Sequence, residues 1–194
     1  MPNCAAIILA AGYSSRMGTL KPLLELGGVP ALSRVIGAFR DSGVSDISVV
    51  TGYERERLAP LLRGVTEVVN ERFDEGMFTS VRAGVAACKG DYALITPADC
   101  ALLNRGIIGA VIDCSEGNKI VIPRYNGEEG HPVLISRELF SEILSYDGSG
   151  GLRGLLERYA SEIVRVDVFD EGAVLDMDTP EDYEKLKMIF DNNA

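Results

Sequence analysis

Residues 7–22 read IILAAGYSSRMGTLKP, and this stretch indicates how the rest of the protein is organised. The apolar run that begins at Ile7 is typical of a strand buried on both faces of a parallel sheet. Small residues follow at positions 10–12, where another group can approach the backbone closely, and a polar loop continues to Lys21. Backbone N–H groups in such a turn form a concavity for anions, to which Arg16 and Lys21 add full positive charge. We therefore expect the loop to bind a di- or triphosphate.

Two better-known phosphate-binding loops do not match this stretch. A Walker A loop has four residues between its glycines and then Gly-Lys-Ser/Thr, whereas five residues separate Gly12 from Gly18 and Thr19 follows. The dinucleotide fingerprint G-x-G-x-x-G is also absent. The alternative is that this stretch binds no ligand and is only a glycine-rich turn between a strand and a helix, with Arg16 and Lys21 in solvent.

Length and composition narrow the class of protein. A chain of 194 residues without repeats or linker-like segments predicts one domain over residues 1–194. The net charge of −10 argues against a nucleic-acid partner. The four cysteines form no C-x-x-C pair and His131 is the single histidine, which makes a zinc site improbable. No apolar run approaches membrane-spanning length and no signal-peptide pattern opens the chain, so we expect a soluble cytoplasmic protein with no membrane partner.

Strand and helix patterns alternate along the chain. This alternation predicts an α/β fold, a doubly wound and mostly parallel sheet with helices on both faces, whose ligands bind beyond the carboxyl ends of the strands. The strands after the first are predicted at residues 47–51, 65–69, 92–96, 119–122, 131–135 and 163–169. The helices are predicted at residues 29–42, 54–62, 78–88, 104–114, 136–144 and 152–159, with a last helix starting at Thr179-Pro180-Glu181-Asp182.

Three acidic residues follow predicted strands. Asp99 comes directly after the strand at 92–96, and Asp176 and Asp178 come after the last strand. Parallel strands end at one edge of a sheet, so these carboxylates can converge on the phosphate loop, where they would repel a phosphate unless a cation lay between them. Mg²⁺ prefers one or two carboxylates together with phosphate oxygens, so we expect it to be bound by Asp99 together with Asp176 or Asp178. The alternatives are that Asp99 caps the following helix and that Asp176 is a turn residue.

The motif L-A-A-G-x-S-S-R-M-G-x-x-K-P resembles the signature of the nucleotidyltransferases related to molybdenum cofactor cytidylyltransferase. Residues 76–84, GMFTSVRAG, are similar to the family's G-M-x-x-S-x-x-x-G, and residues 130–133 to its G-H-P-V. Residues 176–182, DMDTPED, match D-x-D-T-P-E-D. Two motifs depart from the family: Ala101 replaces the proline of A-D-x-P, and in the turn similar to G-D-x-G-x-R the aspartate is displaced to Asp147.

The resemblance implies a nucleotide-diphospho-sugar transferase-like fold and a Mg²⁺-dependent reaction. An acceptor phosphate would attack the α-phosphorus of a nucleoside triphosphate, and pyrophosphate would leave. Arg16, Lys21 and Asp99 would be catalytic, and His131 would shape the acceptor pocket. The residues implied to bind the substrates are Leu9, Ala10, Ala11, Gly12, Ser14, Ser15, Arg16, Lys21, Gly76, Ser80 and His131.

The identity of the substrates rests on the resemblance as well. The related guanylyltransferases typically read L-A-G-G where this chain reads L-A-A-G, which favours CTP. The implied acceptor is a molybdopterin-like cofactor, and an enzyme that depends on this cofactor is a possible protein partner. Alternatives are a nucleotidyltransferase for sugar or alcohol phosphates, and a non-catalytic nucleotide-binding module or cofactor chaperone.

Overall fold

The computed structural model describes residues 2–192, which form strands and helices in alternation. The strands are β1 Cys4–Leu9, β2 Glu25–Leu26, β3 Val29–Pro30, β4 Asp46–Thr51, β5 Thr66–Val69, β6 Tyr92–Pro97, β7 Ile120–Tyr125, β8 Glu128–Glu129, β9 Val133–Ser136 and β10 Ile163–Asp167. The helices are α1 Ala31–Asp41, α2 Met77–Ala87, α3 Arg105–Asp113, α4 Phe140–Ser145, α5 Gly151–Leu156 and α6 Pro180–Asn192. Short 3-10 helices lie at Lys21–Leu23, Arg55–Arg57, Ala59–Leu61, Phe73–Glu75, Arg137–Leu139, Glu157–Glu162 and Glu171–Ala173.

One sheet of eight strands organises the molecule, in the order β10-β7-β9-β6-β1-β4-β5, with β8 paired to β7. Strand β1 lies between β6 and β4 and is parallel to both, as β4 is to β5 and β7 to β10. Strand β9 is antiparallel to both of its neighbours, so β1, β4, β5, β6, β7 and β10 all run in one direction. We call the edge of the sheet where these six strands end the rim. The predicted α/β fold with a mostly parallel sheet is confirmed.

The reversal of β9 was not predicted, although its residues were expected to be extended. Only residues 126–132 connect β7 to β9, and they include the short strand β8. A parallel crossover needs about a dozen residues or more, so a connection this short can only turn the chain back.

The central strand is buried because helices cover both of its faces. Ala6 and Ile8 face one core cluster, which contains residues of α1 and α3 such as Phe39 and Ile108. Ile7 faces the other cluster, which contains residues of α2, α4 and α5. Both faces therefore require apolar side chains, which explains the continuous hydrophobic run in the sequence.

Local departures from the predicted helices have local causes. The predicted helix at 54–62 is wrong, since the chain forms two 3-10 turns there. Pro60 lacks an N–H and its ring obstructs an α-helix, and Glu54 has a left-handed backbone with φ of +47°. The helix expected from Val29 begins at Ala31 instead, because Val29–Pro30 pairs with Glu25–Leu26 as a small hairpin.

The start of the last helix is confirmed as a reciprocal cap. The Asp182 N–H donates to Thr179 Oγ1 at 3.2 Å, and the Thr179 N–H donates to Asp182 Oδ2 at 3.0 Å. Leu186 of α6 packs with Met177 and Leu26 in a third core cluster. Within residues 2–192 we find no helix with the length and apolar character that crossing a membrane requires.

Substitution by alanine should have opposite effects on stability at two glycines that lie on different helices. At Gly84 of α2, an added methyl group would lie 3.1 Å from Val50 Cγ2 and closer still to Ile7, whereas nothing lies within 4 Å at Gly37 of α1. Gly84→Ala should therefore lower the free energy of unfolding by about 1–3 kcal/mol through overpacking. Gly37→Ala should raise it by about 0.5–1 kcal/mol because alanine is the better helix former. Urea denaturation measures both changes in the free energy of unfolding. A Gly84→Ala protein as stable as wild type would contradict the close packing of α2 on Ile7 and Val50.

Candidate active site

The loop at residues 10–21, which we call the phosphate loop after its predicted ligand, begins on a floor of small residues at the end of β1. The Ala10 N–H donates to the Val50 carbonyl at 2.8 Å, and the Tyr53 N–H donates to the Ala11 carbonyl at 3.1 Å. A methyl group at Gly52 would lie 2.9 Å from Ala11 Cβ, so the loop after β4 packs directly on this floor. Leu9, Ala10 and Ala11 are thereby held in place from one side, and Gly12 is exposed beyond them.

Ser14 joins the two ends of the loop. Its backbone is left-handed, with φ of +52°, and its carbonyl accepts the Met17 N–H at 2.9 Å. Its hydroxyl oxygen accepts the Lys21 N–H at 3.0 Å. The turn between them leaves Ser15 and Arg16 exposed. Ser14 therefore shapes the loop through its own backbone and side chain, while Ser15 and Arg16 face the solvent.

Lys21 lies between two of the predicted acidic residues. Its Nζ is 2.9 Å from Asp99 Oδ2 and 2.5 Å from Asp178 Oδ1, and Arg16 Nη1 is 2.8 Å from Asp178 Oδ2. The side chains of Lys21 and Asp99 are only 14% and 13% exposed. The structure thus brings together four of the predicted residues, from the loop after β1, the end of β6 and the segment before α6.

The charges in this group perturb one another. Burial by itself would lower the pKa of Lys21, but its hydrogen bonds to Asp178 and Asp99 outweigh burial and raise it. The hydrogen bond from Lys21 lowers the pKa of Asp178, against the opposing effect of burial. Asp176 is not part of the bridge. Partial desolvation of the Asp176 carboxyl group raises its pKa, and the negative charges of Asp99 and Asp178 raise it further.

The predicted cation was tested against the donors present. Within the described residues, no group of three or more His, Cys, Asp or Glu side chains could hold a metal ion on its own. Asp99 Oδ1, however, is buried and has no hydrogen-bond partner. Carboxylate oxygens are the donors that Mg²⁺ prefers, and it commonly takes one or two of them plus substrate phosphates. The residues present fit a Mg²⁺ ion that is completed by a phosphate ligand.

The segment before α6 reaches the site by crossing the rim. The Val168 N–H donates to the carbonyl of Arg124 in β7, and the N–H of His131, shortly before β9, donates to the Ala173 carbonyl. Met177 is then buried in the third core cluster with Ala101. The chain therefore returns from the outer strand β10 to the end of β6, which carries Asp178 to Lys21.

His131 lies on this path. Its Nδ1 is buried without a hydrogen-bond partner. Burial lowers the pKa of the imidazole, against the opposing charge of Asp99. Gly130 has no room for a side chain, because a methyl group there would overlap the Ala173 carbonyl. The Gly-His pair thus holds a neutral imidazole near Asp99.

Two residues implied to bind the substrates, Gly76 and Ser80, differ in their surroundings. Gly76 is exposed and precedes the first residue of α2, with φ of +107°. Ser80 is buried, and its hydroxyl oxygen accepts a hydrogen bond from Asn70 Nδ2 at 3.0 Å. Asn70 in turn donates its N–H to the Thr51 carbonyl at the end of β4. Ser80 therefore ties α2 to the strand ends, whereas Gly76 is open at the rim.

Sequence analysis missed an aromatic cluster beside the phosphate loop. The ring centroid of Tyr13 is 4.8 Å from that of Tyr53 and 5.4 Å from that of Phe73. Each ring follows the end of one of the parallel strands β1, β4 and β5. That shared position is the signal that would have found the cluster, which connects three loops of the rim.

The turn at residues 147–151 lies against the first turn of α2. A methyl group at Gly148 would be 3.3 Å from Phe78 Cδ1. The displaced Asp147 closes this turn by accepting the Ser149 N–H at 2.9 Å. The aspartate thus has a local structural role in its new position.

Replacement by asparagine should have opposite effects on stability at two aspartates of the site. The lowered pKa of Asp178 means that its charge stabilises the fold at neutral pH, and that this contribution is lost as the pH falls through that pKa. The pKa of Asp176 is raised above the ordinary carboxyl value, so the fold loses stability as the pH rises from the ordinary pKa through the raised one and this carboxyl group becomes charged. At pH 7 in EDTA, Asp178→Asn should cost about 1 kcal/mol and Asp176→Asn should gain about 0.5 kcal/mol, both small because solvent screens these groups. Urea denaturation should show the Asp176→Asn gain vanish below the ordinary carboxyl pKa of 3.8; a loss of stability in that variant at pH 7 would contradict the assignment.

Comparison with known proteins gives the family. A model of the MobA-like NTP transferase domain matches residues 6–163. The chain is 30% identical over 189 residues to the molybdenum cofactor cytidylyltransferase of Escherichia coli K12, which covers 93% of this chain and 94% of that protein. A probable molybdenum cofactor guanylyltransferase of Carboxydothermus hydrogenoformans is 25% identical, with 98% of each chain covered.

A solved structure has the same fold. A nucleotidyl transferase from Methanothermobacter thermautotroptrophicus superposes with a TM-score of 0.88 over 99% of each chain, at 23% identity. The expected resemblance to the cytidylyltransferase-related enzymes is confirmed. Since the family model spans residues 6–163 and a 30% identical relative covers nearly the whole chain, this chain belongs to the MobA-like NTP transferase family and is a nucleotidyltransferase.

Proposed function

We propose that this enzyme uses Mg²⁺ to transfer CMP from CTP to a small phosphorylated acceptor, with release of pyrophosphate. The observation that carries the proposal is the convergence of Lys21, Asp99 and Asp178 beside a loop of small residues. Pure nucleotide binding would not need carboxylates next to the phosphates, whereas phosphoryl chemistry with a metal ion uses them.

The chain's own residues have distinct roles in this reaction. Backbone N–H groups of the loop beyond Ala10, at residues 11–15, bind the phosphates, and Arg16 and Lys21 neutralise the charge that builds on the leaving pyrophosphate. An acceptor oxygen bonds to the α-phosphorus while the bond from that phosphorus to the bridging oxygen breaks, and pyrophosphate leaves with the electron pair. An ionised phosphate is already a nucleophile, so no general base is required, and catalysis consists of positioning and charge stabilisation.

Asp99 and Asp178 are the carboxylates we assign to Mg²⁺, with Asp176 as the nearby third acid. When bound, the ion would neutralise phosphate charge and orient the triphosphate against the acceptor. Support for this role comes from the free, buried Asp99 Oδ1 and from the hard oxygen donors around it.

CTP is favoured over GTP for two reasons. Residues 9–12 read L-A-A-G, as in the cytidylyl branch, and the relative at 30% identity is a cytidylyltransferase. The name of the same relative supports a molybdopterin-type acceptor. We further propose a cofactor-dependent enzyme as protein partner. A sugar- or alcohol-phosphate acceptor is the second candidate, because the same fold serves several acceptors.

A nucleotide panel tests the proposed donor. In a thermal-shift assay with Mg²⁺, CTP at about 100 times its Kd should stabilise the protein by about 2.7 kcal/mol, or roughly 5–10 °C. GTP, UTP and ATP at the same concentration should shift the melting temperature less. Pyrophosphate release with molybdopterin and with a set of sugar and alcohol phosphates then separates the acceptors. Binding of CTP without turnover on any acceptor would favour a non-catalytic module.

Asp99 provides the sharpest test of the catalytic group. Asp99→Asn keeps the shape of the side chain and removes its charge, so transfer should fall by about a hundredfold or more. Circular dichroism should show a folded protein, since this carboxylate lies at the rim and outside the apolar core. Asp113→Asn, an exposed aspartate at the end of α3, is the matched control and should retain full activity. An Asp99→Asn enzyme with near wild-type turnover would refute the assignment.

A further inference from the structure

We infer that the Lys21 ammonium is an internal cation that blocks the metal position between Asp99 and Asp178, so that a divalent cation is admitted only with a polyphosphate that takes Lys21 away. This inference rests on the proposed metal role of the two carboxylates. It adds an order to the assembly of the site.

One cation already occupies the two oxygens through which Asp99 and Asp178 face each other. Lys21 Nζ lies 2.9 Å from Asp99 Oδ2 and 2.5 Å from Asp178 Oδ1. Mg²⁺ binds carboxylate oxygens at about 2.0–2.1 Å, so an ion bridging the same two oxygens would overlap the ammonium group. Lys21 must therefore leave at least one carboxylate before the bridge can be replaced.

Departure of Lys21 without a new partner is unfavourable. The side chain is largely buried, and a buried charge without a counter-ion is costly. Arg16 cannot take over the bridge as it stands, since its only ion pair in the described part of the chain is with Asp178, which it contacts from the exposed side. A divalent cation alone would thus exchange one compensated cation for another and leave an uncompensated ammonium behind.

A polyphosphate provides the missing partner at short range. The Lys21 N–H is held by Ser14 Oγ, so the backbone of Lys21 is part of the phosphate loop itself. Its flexible side chain can therefore turn from the carboxylates to an anion in the loop while its backbone stays in place. Polyphosphate and divalent cation then favour each other's binding, and this coupling is reciprocal.

The test measures Mn²⁺ binding by electron paramagnetic resonance, with no nucleotide present, in the wild-type protein, Lys21→Met and Lys119→Met. Removing the internal cation should tighten Mn²⁺ binding by about tenfold or more, the scale of one charge contact at a partly buried site. Lys119→Met is the matched control because it removes the same charge from an exposed pair with Glu162, away from the rim. Its affinity should equal that of wild type. Equal or weaker Mn²⁺ binding by Lys21→Met would overturn the inference.

A second variant guards against a folding defect, which circular dichroism would reveal. Lys21→Ala leaves room for an external amine, so ethylammonium should weaken Mn²⁺ binding to this variant, whereas tetramethylammonium at equal ionic strength should not. No effect of ethylammonium would count against the block. Mn²⁺ binding by the wild-type protein that is as tight as binding by the folded Lys21→Ala variant would overturn the inference.

These measurements use neither CTP nor an acceptor. If the protein transfers no CMP but Lys21→Met binds Mn²⁺ more tightly than wild type, the inference about the internal cation stands and the proposed function fails. If the protein transfers CMP but all variants bind Mn²⁺ equally, the proposed function stands and the inference about the internal cation fails.

Discussion

The bridge from Lys21 to Asp99 and Asp178 is the interaction on which the arrangement of the site depends. It joins the loop after β1 to the end of β6, 78 residues from Lys21 along the chain, and to the segment before α6, 157 residues from Lys21. Without an ammonium group between them, two partly buried carboxylates and the neighbouring Asp176 would repel one another. The ammonium group of Lys21 therefore holds these two carboxylates together, with Arg16 as a second positive charge on Asp178.

The mixed direction of the sheet determines what reaches the rim. The parallel strands contribute the residues that follow them, such as the phosphate loop after β1 and Asp99 after β6. The reversed strand β9 contributes the residues that precede it instead, and the pairing of Val133 with Ile95 places His131 beside the end of β6. The imidazole consequently lies near Asp99, and burial keeps it uncharged where a second positive charge would compete with Lys21 for the carboxylate.

Close packing around the loop requires small residues at several positions. Ala11 and Gly52 touch across the ends of β1 and β4, and Gly84 allows α2 to approach β1. The aromatic rings of Tyr13, Tyr53 and Phe73 then connect the loops after three neighbouring strands. A rigid floor with clustered rings at its edge positions the backbone N–H groups of the loop, and preorganised donors of this kind are what electrostatic catalysis of phosphate transfer needs.

The sequence by itself determined the alternation of strands and helices, the polar loop after β1, the cap of α6 and the meeting of Arg16, Lys21, Asp99 and one of the two later aspartates at one edge. These features depend on local patterns and on the rule that parallel strands end together. Only the tertiary structure decided that β9 is reversed, that Asp178 and not Asp176 contacts Lys21, and that three aromatic rings meet beside the loop. The physical reason is that these features depend on the path of residues 168–179 across the rim and on strand order, which are set by packing between distant segments and leave no periodic pattern in the chain.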